Sequence, residues 1–207
     1  KALGFLEHPN IVQIFSSGLL EKGNPYHVME YLDGGSLSDE LKSGPLTATR
    51  FHELVTQVLA GLAYAHSQKV VHRDLKPSNI MISKMPDGSS LVKIIDFGIA
   101  RIEMTKERTA LTITRTDAIL GSPMYISPEQ CRSEKCTHLA DLYSLGCILY
   151  ECVSGRLPII GDTSFDTMYR HMTEKPEPLD TKNKSASSKQ LADLISQCLE
   201  KKPEARP

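Results

Sequence analysis

The chain has 207 residues, 40% hydrophobic and 24% charged, which is enough apolar material for a packed core and too much for dominant disorder. Its 24 Lys and Arg against 25 Asp and Glu give a net charge of −1, so charge offers no reason to expect nucleic acid or an anionic membrane as partner. No apolar run nears the ~18 residues of a membrane span, no signal-peptide pattern opens the chain, and the odd number of cysteines without CxxC spacing indicates reduced thiols in a cytoplasmic setting.

Lys1 to Glu7 reads as the end of a helix, with Ala2, Leu3 and Leu6 at helical spacing, stopped by His8-Pro9-Asn10. Strands are predicted at Ile11–Phe15 and Tyr26–Leu32, joined by a turn through Gly23-Asn24-Pro25. Asp33-Gly34-Gly35-Ser36 reads as a short linker, and helices dominate after it. Phe51, Leu54, Val55, Val58, Leu59, Leu62 and Ala63 follow the spacing of an amphipathic helix, with Thr47 or Thr49 as its N-cap. Two apolar pieces, Ile80–Ile82 and Leu91–Ile95, flank Pro86-Asp87-Gly88, a hairpin tip. Gly98 to Pro123 is long, polar and rich in threonine, a length that in compact domains usually marks a functional loop. Leu139 to Val153 is apolar nearly all round and predicts a buried helix. Leu191, Leu194, Ile195, Cys198 and Leu199 mark a last amphipathic helix.

The sharpest signal is His72-Arg73-Asp74-Leu75-Lys76-Pro77-Ser78-Asn79, with Asp96-Phe97-Gly98 following 22 residues after Asp74 and Ser127-Pro128-Glu129 later still. The first string matches H-R-D-L-x-x-x-N, the second is D-F-G, and the third is one residue from A-P-E. On these motifs the chain resembles a eukaryotic-type protein kinase catalytic domain. The bacterial Ser/Thr branch is suggested by Ser127-Pro128-Glu129-Gln130, Asp141-Leu142-Tyr143-Ser144-Leu145-Gly146 and the closing Lys202-Pro203-Glu204-Ala205-Arg206-Pro207. The resemblance implies an α+β fold, mostly α. It also implies a remnant of the small lobe over residues 1–32 and a helical large lobe over 33–207.

The chemistry fits the motifs. Phosphoryl transfer needs a positioned nucleophile and neutralised phosphate charge more than covalent help. Asp74 supplies a carboxylate to orient a substrate hydroxyl and take its proton. Asn79 and Asp96 supply the hard oxygen ligands Mg²⁺ prefers, and Lys76 can place an ammonium on the γ-phosphate of ATP. By the resemblance, Lys76 accompanies Ser/Thr specificity, and Ser122 is the small hydroxyl residue that bonds the catalytic Asp and Lys. Met29 is the gatekeeper of the hinge between lobes, the backbones of Glu30 and Leu32 bond the adenine edge, and Met81 lies beneath the ring. His72 and Phe97, with Leu3 and Ile14, resemble a stacked hydrophobic spine. Asp141 anchors the backbone of the His-Arg-Asp turn, and Glu129 pairs with Arg206. Arg73 and Arg101 are cations suited to phosphothreonine, and Thr114 and Thr116 resemble the site of activating phosphorylation in trans by a second kinase molecule.

The implied partner is a protein substrate. The Gly-rich loop, the strand lysine and its partner Glu are not found in the sequence, so the segment reads as a fragment that is inactive by itself. Two other readings share the motifs. One is a binding module that keeps the fold without turnover, and the other is a small-molecule phosphotransferase of kinase-like fold.

Overall fold

The computed structural model describes residues 6–20, 24–97, 123–180 and 188–207. The predicted helix over Lys1–Glu7 therefore lies mostly outside the described residues, and Leu6 and Glu7 are not helical. Strands β1 (Ile14–Leu19) and β2 (Pro25–Met29) form an antiparallel pair, from Ile14↔Met29 to Leu19↔Pro25. Both are displaced from the sequence reading. Ile11 and Val12 are apolar because they are buried on a second sheet, where Val12 N–H donates to the Ile94 carbonyl at 3.0 Å. After Met29 the chain leaves β1 and crosses to that sheet, so the strand stops short of Leu32.

The second sheet has the order β3 (Gly34–Ser36), β4 (Ile80–Lys84) and β5 (Ser90–Ile94), antiparallel throughout. Strand β3 corrects the linker reading of Asp33–Ser36, because Gly-Gly-Ser carries no strand-forming side chain to reveal it. Gly34 is required there, since a Cβ would run into the backbone carbonyl of Ile82. The β4–β5 hairpin turns at Pro86-Asp87-Gly88 as predicted. Asp87 Oδ1 accepts from the Ser89 N–H at 2.9 Å, and Gly88 takes φ +85°. Its side chains alternate: Ile80, Ile82, Val92 and Ile94 are buried in the core, while Met81 and Lys93, directly opposite one another, share the other face.

The outer edge of β5 is covered. The Asn10 carbonyl accepts from Ile94 N–H at 2.9 Å, and Asn10 Nδ2 donates to the Val92 carbonyl at 2.8 Å. Gln57, from the helix below, accepts from Val92 N–H at 2.9 Å and donates to the Ser90 carbonyl at 2.9 Å.

Helix α1 (Leu37–Leu41) is too short to show periodicity and is held by a reciprocal cap, with Asp39 N–H on Ser36 Oγ and Ser36 N–H on Asp39 Oδ2. Helix α2 (Ala48–Ser67) takes Thr47 as its N-cap and buries Phe51, Leu54, Val58, Leu62 and Ala65. Helix α3 (Pro128–Cys131) leads to α4 (His138–Ser154), capped by Thr137 and ended by Gly155 at φ +69°. Helix α4 is buried along most of its length, as its apolar run predicts. Helix α5 (Ser164–Thr173) is missing from the sequence reading, and α6 (Lys189–Cys198) matches the last amphipathic pattern. The fold is α+β and mostly α. Among the described residues no helix is long and apolar enough to cross a membrane.

The C-terminal segment is fastened by one ion. Arg206 Nη1 and Nη2 donate to the two carboxylate oxygens of Glu129 at 2.7 and 2.9 Å, and both side chains are almost wholly buried. The same guanidinium donates to the carbonyls of Leu139 at 2.7 Å and Glu200 at 2.9 Å, and lies 5.0 Å from the Tyr143 ring centre. Burial pushes the Glu129 carboxyl upward, but Arg206 and a backbone hydrogen bond outweigh it and hold it below the usual range. Arg206→Met should therefore cost about 3–5 kcal/mol, because a charge and several carbonyls lose their partner together. Adding Glu129→Leu should recover at least half of that. Denaturant unfolding of both variants is the check; equal losses would show that the stranded charge is not the cause.

Candidate active site

The site is built on a turn with no regular secondary structure, so its backbone groups need other partners. Asp141, in the first turn of α4 and 1% exposed, supplies them. Its Oδ2 accepts from His72 N–H and its Oδ1 from Arg73 N–H, both at 2.8 Å, and His66 Nε2 lies 2.7 Å from Oδ2. Arg73 takes a left-handed backbone, φ +68°, which turns the chain after the two anchored amides toward Asp74. The Arg73 carbonyl is taken in turn by Gln130 Nε2 at 2.6 Å, and Gln130 Oε1 accepts from Ser127 N–H at 3.1 Å.

His72 carries this order onward. Its Nδ1 accepts from Asp74 N–H at 3.2 Å and its Nε2 lies 2.9 Å from the Ile95 carbonyl. A carbonyl only accepts and an amide N–H only donates, so the ring is neutral with its proton on Nε2. Phe97 packs on it, with ring centres 4.7 Å apart.

The predicted catalytic residues gather around Asp74. Lys76 Nζ is 2.8 Å from Asp74 Oδ2. Asn79 Nδ2 donates to the Asp74 carbonyl at 2.8 Å and lies 3.4 Å from Oδ2. Because that carbonyl accepts, the amide orientation is fixed and Asn79 Oδ1 is left as an acceptor, the atom a hard cation would use. The hairpin brings the second motif alongside. Ile80 pairs with Ile94, Ile95 N–H donates to the Asn79 carbonyl at 2.9 Å, and Asp96 is the next residue. Asp96 is exposed at φ +56°, a conformation Asp tolerates better than most residues. This donor set, one amide oxygen and one carboxylate, suits a divalent metal bound together with phosphate oxygens.

Met29 is 37% exposed, Glu30 and Leu32 are half-buried, and Met81 lies on the β4 face away from the core. Ile14, in β1, is half-buried opposite Met29 of β2, and is not among the buried core residues that include Phe97. Leu3, Arg101, Thr114, Thr116 and Ser122 lie outside the described residues. Among the described residues Arg73 Nε is buried without a hydrogen-bond partner. Sequence reading missed His66, Gln130 and Lys93. Two of these had a local signal: Gln130 stands three residues after Ser127, the spacing of a helix cap, and Lys93 is a charge interrupting the apolar run Leu91–Ile95.

A family model of the protein kinase domain matches residues 1–207. Serine/threonine-protein kinase PknB of Mycolicibacterium smegmatis is 38% identical over 205 residues, covering 97% of this chain and 32% of that protein. Serine/threonine-protein kinase pkn3 of Myxococcus xanthus is 39% identical over 210 residues, covering 100% of this chain and 38% of its own length. Serine/threonine-protein kinase A of Synechocystis is 38% identical over 208 residues, covering 96% of this chain and 39% of its own. The chain belongs to the protein kinase domain family, whose members use ATP with a divalent metal. It spans roughly a third of the length of these curated relatives.

The neutral His72 makes the site acid-sensitive. Burial lowers the readiness of the ring to take a proton, outweighing the opposite pull of Asp141, the Ile95 carbonyl, Asp74 and Asp96. The folded value therefore lies below the unfolded one, near 6.5. The unfolded chain takes up a proton below about pH 6.5 that the folded chain refuses, so stability falls as pH falls. The His72 contribution should therefore be present at pH 7.5 and diminish as the pH falls through about 6.5. NMR titration of the ring and unfolding at pH 7.5 and 5.5 check this; a ring that titrates near 6.5 in the folded protein would contradict it.

Proposed function

We propose that this segment is the catalytic core of a Ser/Thr protein kinase, transferring the γ-phosphate of ATP to Ser or Thr of a protein substrate. The observation that carries the reading is the cluster of Asp74, Lys76 and Asn79 on one turn, with Asp96 delivered beside it by the β4–β5 hairpin. Asp74 orients the substrate hydroxyl and accepts its proton. Lys76, held on Asp74, is placed to share the charge of the transferring phosphoryl group. Asn79 Oδ1 and the Asp96 carboxylate would hold Mg²⁺, which neutralises phosphate charge when bound. The backbones of Glu30 and Leu32 edge the adenine, behind the Met29 gatekeeper and over Met81. Residues 1–32 belong to the small lobe and hinge, and residues 33–207 to the large lobe.

The names of the bacterial relatives support Ser/Thr specificity, and the presence of every large-lobe catalytic residue supports turnover over a binding role. We further infer that Thr114 and Thr116 are phosphorylated in trans by a second kinase molecule. Arg73, whose buried Nε has no partner among the described residues, is the cation that reads the phosphate, together with Arg101. A cytoplasmic placement accords with the unpaired thiols of Cys131, Cys147, Cys152 and Cys198.

In the kinase that carries this segment, Asp74→Asn should lower phosphotransfer by at least ~100-fold while ATP affinity stays near wild type. Expressed alone, the variant should also carry no phosphate on Thr114 or Thr116 by mass spectrometry. Near wild-type transfer by Asp74→Asn would overturn the role of Asp74, and phosphorylated threonines in it would overturn modification by the kinase itself.

A further inference from the structure

We propose that the ion pair between Lys93 and Glu30 is a positioning device for the adenine end of the nucleotide site, a role that rests on the kinase reading above. Lys93 lies in a strand whose neighbours Val92 and Ile94 are wholly buried, and it points to the opposite face. There it reaches the chain segment between the two sheets. Its Nζ is 2.6 Å from Glu30 Oε1, with side chains 13% and 25% exposed. The same Oε1 accepts from Gln13 N–H at 2.7 Å, and Glu30 N–H donates to the Gln13 carbonyl at 3.0 Å. Nζ is also 3.5 Å from the Ile11 carbonyl.

Glu30 is thus held at both ends, its backbone by β1's approach and its carboxylate by β5. Among the described residues, no other side-chain hydrogen bond or ion pair ties residues 30–33 to β4 or β5. The next residue, Tyr31, is 89% exposed and offers no anchor. The directly opposite partner of Lys93 is Met81, and opposite residues in an antiparallel pair share a face. One side chain on β5 therefore sets the hinge, and its neighbour on β4 is the floor beneath the adenine. The ion pair fixes the spacing between floor and edge.

That spacing matters because a backbone hydrogen bond to a purine edge is strong only within about 2.7–3.2 Å and weakens steeply once misaligned. Removing Lys93 leaves a half-buried carboxylate that will seek water, and the hinge backbone moves with it. Nothing in the pair touches Asp74, Lys76 or Asn79, so the loss should fall on the base and spare the phosphate end.

The test is calorimetric titration of the kinase that carries this segment with two probes, adenosine and inorganic tripolyphosphate with Mg²⁺. Lys93→Met keeps the apolar stem and removes the charge; it should weaken adenosine binding about tenfold and leave tripolyphosphate binding within twofold. Lys93→Arg should stay within threefold of wild type for both. The exchanged pair Glu30→Lys with Lys93→Glu should recover most of the adenosine loss. Adenosine affinity of Lys93→Met within twofold of wild type, with only the melting temperature lowered, would overturn the proposal and leave the pair as a structural tie. Equal weakening of both probes, or no recovery in the exchanged pair, would overturn it as well. A wild-type protein that shows the Lys93 effect but transfers no phosphate would overturn the phosphotransfer reading alone, and one that binds no adenosine would overturn both.

Discussion

Two backbone N–H groups, those of His72 and Arg73, end on a single buried carboxylate, and the rest of the site depends on that arrangement. The turn that carries Asp74 is neither helix nor strand, so its amides have no ladder to join. Asp141 replaces the ladder, held in place by the most buried helix of the fold. From there the order passes through hydrogen bonds of defined direction. The His72 amide is fixed, so its ring meets both Asp74 N–H and the Ile95 carbonyl. The ring must stay neutral to do so, which couples the protonation of one imidazole to the placement of the proposed base. A left-handed Arg73 is the conformational cost of turning the chain from those anchored amides into Asp74.

The β4–β5 hairpin contributes the second constraint. Its register sets Asn79 beside Ile95, and thereby the first motif beside the second, although Asp74 and Asp96 are distant in sequence. One face of the hairpin is anchored in the core by Ile80, Ile82, Val92 and Ile94. The other face is available for function, with Met81 and Lys93 on it. A two-stranded ribbon alone would be marginal. Here β3 closes one edge, and Asn10, Val12 and Gln57 close the other.

Much of this was legible in the sequence because the catalytic groups lie in contiguous motifs. The apolar runs of α2, α4 and α6 also have the period of the structure they form. The failures have physical causes. Strand β3 is Gly-Gly-Ser, selected for close backbone approach and so without a propensity signal. In α5 the usual pattern is inverted: Phe165 and Tyr169 are 76% and 54% exposed, whereas Thr167 and His171 are buried. Ile11 and Val12 look like a strand start because burial selects the same residues whichever sheet buries them. His66 reaches Asp141, and Gln130 the Arg73 carbonyl, across long sequence separations, and no local pattern encodes such a bond. Lys93 did break an apolar run, but its partner Glu30 lies 63 residues away and only the fold brings the two together.

The central claim is that the Asp141 carboxylate, through two amides, holds the turn that presents Asp74. Hydrogen exchange of the His72 and Arg73 amides, in wild type and in Asp141→Asn, tests it most directly. Both amides should be protected in wild type despite lying outside regular secondary structure. In Asp141→Asn one acceptor oxygen becomes an NH₂ group, so at least one amide should exchange 10-fold faster or more, about 1.4 kcal/mol of lost protection. Phosphotransfer should fall with it. Amides that exchange at the free rate in wild type, or that keep full protection in the variant, would contradict the account.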